Sequence, residues 1–65
     1  MIRNFPETMR NQRKMLNISI SKLSQLTNIS QGTLYKYERG EMSPNGIRLL
    51  KICAILKIDY KSLEI

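Results

Sequence analysis

Between Ser30 and Arg39 the chain carries Gln31, Tyr35, Lys36 and Arg39 at spacings that place them, with Gly32, on one side of a helix and Leu34 and Tyr37 on the other. Amide, phenol, ammonium and guanidinium groups in that pattern donate hydrogen bonds and carry positive charge, a chemistry of recognition. No catalytic alternative competes with it. There is no His and a single Cys, Cys53, which leaves no set of zinc ligands, no cysteine–histidine pair and no internal disulfide. No nucleophile with an adjoining base and no phosphate-cradling glycine loop is present, so the sequence reads as a non-enzyme without metal or cofactor. Cys53, inside the apolar run Ile52-Cys53-Ala54-Ile55-Leu56, reads as a small core residue.

Charge points to the partner. Eleven Lys and Arg against five Asp and Glu give a formal net charge of +6 and a pI near 9.9, a balance that implies a polyanion. No acidic residue lies between Glu7 and Glu38, whereas Arg10, Arg13, Lys14, Lys22 and Lys36 all fall in that stretch. It is a candidate anion-binding face.

The elements that must position this face follow from periodicity and capping residues. With 65 residues, 42% hydrophobic and 25% charged, the composition is that of one small globular domain, too short to carry a large catalytic cleft. Phe5, Met9, Gln12 or Arg13, and Leu16 recur at helical spacing, so a first helix spans about 6–16. Ser19 caps a second helix, about 20–27, whose Leu23 and Leu26 share a face and whose Ser24 offers a small packing surface. Thr27-Asn28-Ile29-Ser30 is a tight turn, with Asn28 tolerating positive φ and Ser30 capping a third helix over about 31–39 that Gly40 ends. Asn45 caps a fourth, about 46–56, whose Ile47, Leu49, Leu50, Ile52, Cys53, Ile55 and Leu56 make it the centre of the core. Asp59 caps a short fifth, about 60–64. No stretch alternates as a strand; the fold class is all-α, in five helices over residues 1–65.

The longest apolar run falls far short of the roughly 20 residues of a membrane span, and Met-Ile-Arg-Asn-Phe-Pro lacks the apolar stretch of a signal peptide. The expected location is the cytoplasm, and a starting Met with a full helix set fits a free-standing domain.

A helix, a short turn containing Asn28 and a second helix with a polar, basic outer face form a helix-turn-helix pattern within SISKLSQLTNISQGTLYKYERGE. Ile18-Ser19, Leu23-Ser24-Gln25-Leu26-Thr27-Asn28-Ile29-Ser30 and Tyr37-Glu38-Arg39-Gly40, with Pro44, Leu49-Leu50-Lys51-Ile52 and Leu56 following in order, make almost the whole chain resemble the Cro and lambda-repressor type of helix-turn-helix domain, also called the xenobiotic-response-element type. The sequence departs from that pattern at Asn28, where Gly is most usual, and at Ile20, where Gln commonly touches a phosphate. It departs again at Ser24 in place of Ala, at Glu41 where the loop is often basic, and at Lys57 in place of a helix-ending Gly.

The resemblance implies a compact five-helix domain whose third helix enters the major groove of double-stranded DNA. Gln31, Gly32, Thr33, Tyr35 and Lys36 would then face base edges, and Ser19, Ser21, Lys22, Ser30 and Arg39 the backbone, with Arg10 and Lys14 serving either the backbone or plain solubility. Arg13 would pair with Glu38 as a structural salt bridge. The implied partner is a two-fold symmetric operator bound by a homodimer, with Ile58, Tyr60, Leu63 and Ile65 as its interface; the plainer reading is that Ile58, Tyr60 and Leu63 close the core. The role implied is that of a bacterial or phage-encoded transcriptional regulator, repressor-like, with restriction-modification controllers and antitoxins in the same family. Two other readings stand beside it: an ordinary solvated helix face, and a protein-interaction module that meets an acidic partner.

Overall fold

The computed structural model describes residues 5–59, which form four α-helices and no strand. These are α1 (Phe5–Met15), α2 (Ile20–Thr27), α3 (Gln31–Arg39) and α4 (Gly46–Leu56). The first begins and ends one residue earlier than its periodicity indicates; the other three match the sequence expectation. The helix expected at 60–64, with Tyr60, Leu63 and Ile65, lies outside the described residues.

Side-chain caps open three of the helices. Ser19 Oγ accepts from the Lys22 N–H at 3.0 Å, Ser30 Oγ from the Thr33 N–H at 3.3 Å and Asn45 Oδ1 from the Arg48 N–H at 3.0 Å, each such cap being worth about 1 kcal/mol. All four helices close on a left-handed residue: Asn17 at φ 61°, Asn28 at 60°, Gly40 at 75° and Lys57 at 58°. Their backbones turn back to bond the orphan carbonyls of the last turn, as in Ile18 N–H to Arg13 O at 3.0 Å, Glu41 N–H to Lys36 O at 2.9 Å and Ile58 N–H to Cys53 O at 2.9 Å. Glycine adopts this conformation freely; Lys57 adopts it against a cost of about 1–2 kcal/mol.

The core gathers Phe5 and Met9 from α1, Ile20 and Leu23 from α2, Ile29 from the turn, Leu34 and Tyr37 from α3, and Leu49, Ile52, Cys53 and Leu56 from α4. Leu16, Ile18, Ile55 and Ile58 pack against its edge. Helix α1 lies against α3 and α4, and α2 against the same two. Buried Tyr37 keeps its hydroxyl satisfied by accepting from Arg48 Nη1 at 3.0 Å, a tie between α3 and α4.

Two sequence expectations about burial are corrected. Leu26 is 50% exposed, because the inward stripe of α2 is Ile20, Leu23 and Thr27, and Leu26 is turned away from it. On α4 the buried residues Leu49, Ile52, Cys53 and Leu56 form a single i, i+3, i+4, i+7 stripe. Ile47 and Leu50 fall on its far side and are 71% and 53% exposed, so α4 is amphipathic and not apolar all round. No helix among the described residues is long and apolar enough to cross a membrane.

Candidate functional site

On α3, Leu34, Tyr37 and Glu38 point inward while Gln31, Gly32, Tyr35, Lys36 and Arg39 are exposed. At about 100° per residue those five positions occupy roughly 140° of one side of the helix. The result is a stripe of amide, phenol, ammonium and guanidinium groups with a gap at Gly32, where nothing lies within 4 Å of the site a Cβ would fill. Thr33 is half-buried and engaged at the cap, its Oγ1 accepting from Ser30 Oγ at 2.8 Å. The first turn of α3 carries no acidic residue, which leaves its dipole and the N–H groups that the Ser30 cap does not engage open to an anion.

The turn that aims this stripe is closed by its own polar groups. Thr27 Oγ1 donates to Leu23 O at 2.8 Å and accepts from the Ile29 N–H at 3.3 Å, while the Asn28 N–H donates to Ser24 O at 2.8 Å. Ser24 does more than offer a small packing surface, since its Oγ donates to Ile29 O at 2.6 Å. Sequence reasoning missed this role; the available signal was a hydroxyl within one turn of the helix end, able to reach a backbone carbonyl. With Ile29 buried beneath, α2 and α3 are held at a set angle.

The far end of α3 is fastened to α1. Arg13 Nε and Nη2 donate to Glu38 Oε2 and Oε1 at 2.7 and 3.3 Å, and Arg13 Nη1 donates to Ile18 O at 2.9 Å. The pair is largely removed from water, with 14% and 5% of the two side chains exposed. Its charges therefore cancel inside the domain, and the outward face of α3 keeps its excess of cations.

Beyond Arg39, the left-handed Gly40 reverses the chain and Glu41 folds back over the last turn. Arg39 Nε donates to Glu41 Oε2 at 2.7 Å and Nη2 to Oε1 at 3.3 Å, both side chains being exposed. The hydrogen bond and then the charge of Arg39, with a further contribution from Lys36, hold the Glu41 carboxyl below its ordinary range. Glu41 in turn raises Arg39.

At the start of α2, Ser21 and Lys22 are exposed, and so is Ser19, whose Oγ serves the cap. A hollow lined by Arg13, Lys14, Asn17, Ile18 and Ser19 lies beside it. Arg10 and Lys14 are exposed on α1. Of the four residues with which the sequence furnishes a dimer interface, Ile58 is half-buried against the core, and the other three lie outside the described residues.

Two helices joined by a tight, internally bonded turn, the second showing a polar and basic face, define a helix-turn-helix domain. The chain belongs to the helix-turn-helix family of the xenobiotic-response-element type, whose sequence profile matches residues 9–63. It is 35% identical, over 46 residues or 71% of its length, to a protein of Methanococcus vannielii provisionally named an HTH-type transcriptional regulatory protein. The chain spans only 14% of the length of that protein.

Proposed function

We propose that this chain is a sequence-specific, double-stranded DNA-binding transcriptional regulator of repressor-like action, whose α3 reads the major groove. The observation that carries this reading is the exposed stripe Gln31, Gly32, Tyr35, Lys36 and Arg39 on the second helix of the motif. Similarity to a protein named as a transcriptional regulator supports it. In this reading Gln31 pairs bidentately with adenine and Lys36 donates to guanine, contacts that discriminate by about 1–3 kcal/mol each when well made. Gly32 lets α3 approach closely. Thr33 contributes its methyl toward a thymine, and Tyr35 stacks on or bonds the backbone.

Ser19, Ser21, Lys22 and Ser30 hold phosphates near the two helix N-termini, and Arg39 holds one at the far end of α3. Residues 1–65 act as a single cytoplasmic domain that needs no cofactor. Two copies bind a two-fold symmetric operator, with half-site centres about 10–10.5 base pairs apart.

The test is selection of duplexes from a random pool at near-physiological salt, followed by titration of the enriched sequence against a scrambled control. Enrichment of a symmetric site is the expected result. Weak binding that is uniform across sequences and vanishes with added salt would reduce the basic face to electrostatic attraction and overturn the reading. A protein-interaction module, such as an antitoxin, is the second reading, favoured by the exposed Ile47 and Leu50 on α4.

A further inference from the structure

We propose that Glu41 is an intramolecular competitor for DNA phosphate, holding the guanidinium of Arg39 in reserve and thereby setting the affinity and salt dependence of the complex. The inference rests on the DNA-binding reading of α3 and assigns a residue outside the recognition helix to that same surface.

Three observations carry it. A guanidinium binds a carboxylate and a phosphate with the same fork of parallel N–H donors, and the fork of Arg39 is already occupied by both oxygens of Glu41, at 2.7 and 3.3 Å. The position of Glu41 is built into the fold, because the left-handed Gly40 and the bond from the Glu41 N–H to Lys36 O at 2.9 Å return the chain onto the last turn of α3. Its carboxylate also sits within electrostatic reach of Lys36, so one acidic side chain faces two cations of the exposed stripe. A second ion pair of α3, Arg13 with Glu38, is largely shielded from water and serves the scaffold. The Arg39–Glu41 pair is exposed, so opening it exchanges one anion for another without burying a charge.

Binding at the end of α3 then becomes an exchange in which a phosphate displaces Glu41 from Arg39. The displaced carboxylate stays beside the site and offsets part of the charge that Arg39 brings, so binding releases fewer counterions from the DNA than the cation count of the face indicates, and the carboxylate repels any phosphate that fails to displace it. Exposed pairs of this kind are weak, so the device tunes affinity and does not block binding.

The experiment measures affinity against salt concentration for the wild-type protein, Glu41→Gln, Arg39→Gln and the double variant. Each is titrated with the enriched duplex and with a scrambled duplex. Glu41→Gln should tighten binding to both duplexes by about two- to fivefold, and steepen the slope of log affinity on log salt by up to about 0.9, the increment for one phosphate fully neutralised, because no carboxylate then offsets the charge of Arg39. In the Arg39→Gln background the gain should shrink to the smaller part that comes from lifted repulsion and from Lys36. An unchanged slope for Glu41→Gln, or a gain that persists undiminished without Arg39, would overturn the inference. Failure of the parent reading looks different: the wild-type protein would show no preference for the enriched duplex while the Glu41→Gln gain appeared equally on both.

Discussion

Arg13 and Glu38, twenty-five residues apart in the chain, meet through two parallel N–H to oxygen bonds at 2.7 and 3.3 Å, and the remaining arm of the guanidinium reaches Ile18 O at 2.9 Å. One side chain thus ties together the end of α1, the entry to α2 and the buried side of α3. The helix that carries the exposed stripe is held by this contact at one end and by the Ser24 and Thr27 turn at the other.

Glu38→Ala leaves a shielded guanidinium without its counter-ion, which commonly costs about 3–5 kcal/mol. A domain of 65 residues loses about 4–8 °C of melting midpoint per kcal/mol, so thermal unfolding followed by circular dichroism should show a fall of more than about 10 °C. An unchanged midpoint would mean that the pair does not hold the scaffold.

Gly32 separates stability from recognition. A methyl group there meets nothing within 4 Å, and replacing a helical glycine with alanine typically stabilises by about 0.5–1 kcal/mol. Gly32→Ala should therefore raise the denaturant midpoint and at the same time weaken binding to the enriched duplex, since in the proposed reading the added methyl stands where α3 approaches the bases. Unweakened binding would remove Gly32 from the contact surface.

Lys36 and Lys22 should differ in kind. Lys36→Ala is expected to cost about 1–3 kcal/mol of binding and to relax the preference at one base pair, while Lys22→Ala should weaken all duplexes alike and lower the salt slope by about one contact. Competition titrations against single-base variants of the enriched site make the comparison. A uniform loss from Lys36→Ala would reassign that residue to the backbone.

The two left-handed closures at Gly40 and Lys57 should respond oppositely. Lys57→Gly removes the strain of a lysine at φ 58° and should stabilise by roughly 0.5–1 kcal/mol, the relief being offset in part by the greater freedom of glycine in the unfolded chain. Gly40→Ala places a β-carbon on a backbone at φ 75°, 3.7 Å from Pro6 Cγ, and should cost about 1–2 kcal/mol. Urea titrations of both variants decide this; equal signs would contradict the conformational argument.

Local chemistry wrote most of the helical frame into the chain. Ser19, Ser30 and Asn45 are hydroxyl and amide caps whose bonds reach only three residues ahead, Gly40 tolerates positive φ because it has no β-carbon and Asn28 because its short amide bonds locally, and Leu34 with Tyr37 share a face through helical period alone. Such signals span a few residues, so α2, α3 and α4 and the outward stripe of α3 were legible without a structure. The turn from Arg39 to Glu41 was legible only as a change of charge, because pairing them required knowing that Gly40 folds the chain back. Tertiary packing decided the rest. Apolar residues spread along α4 cannot say by themselves which of them its neighbours cover; that depended on where α1 and α2 lie, and it left Ile47 and Leu50 in solvent. Arg48 became a partner for Tyr37 only once the elements were placed, because that bond joins groups that no periodicity relates, and the hydroxyl of Ser24 met Ile29 O only once the turn had closed.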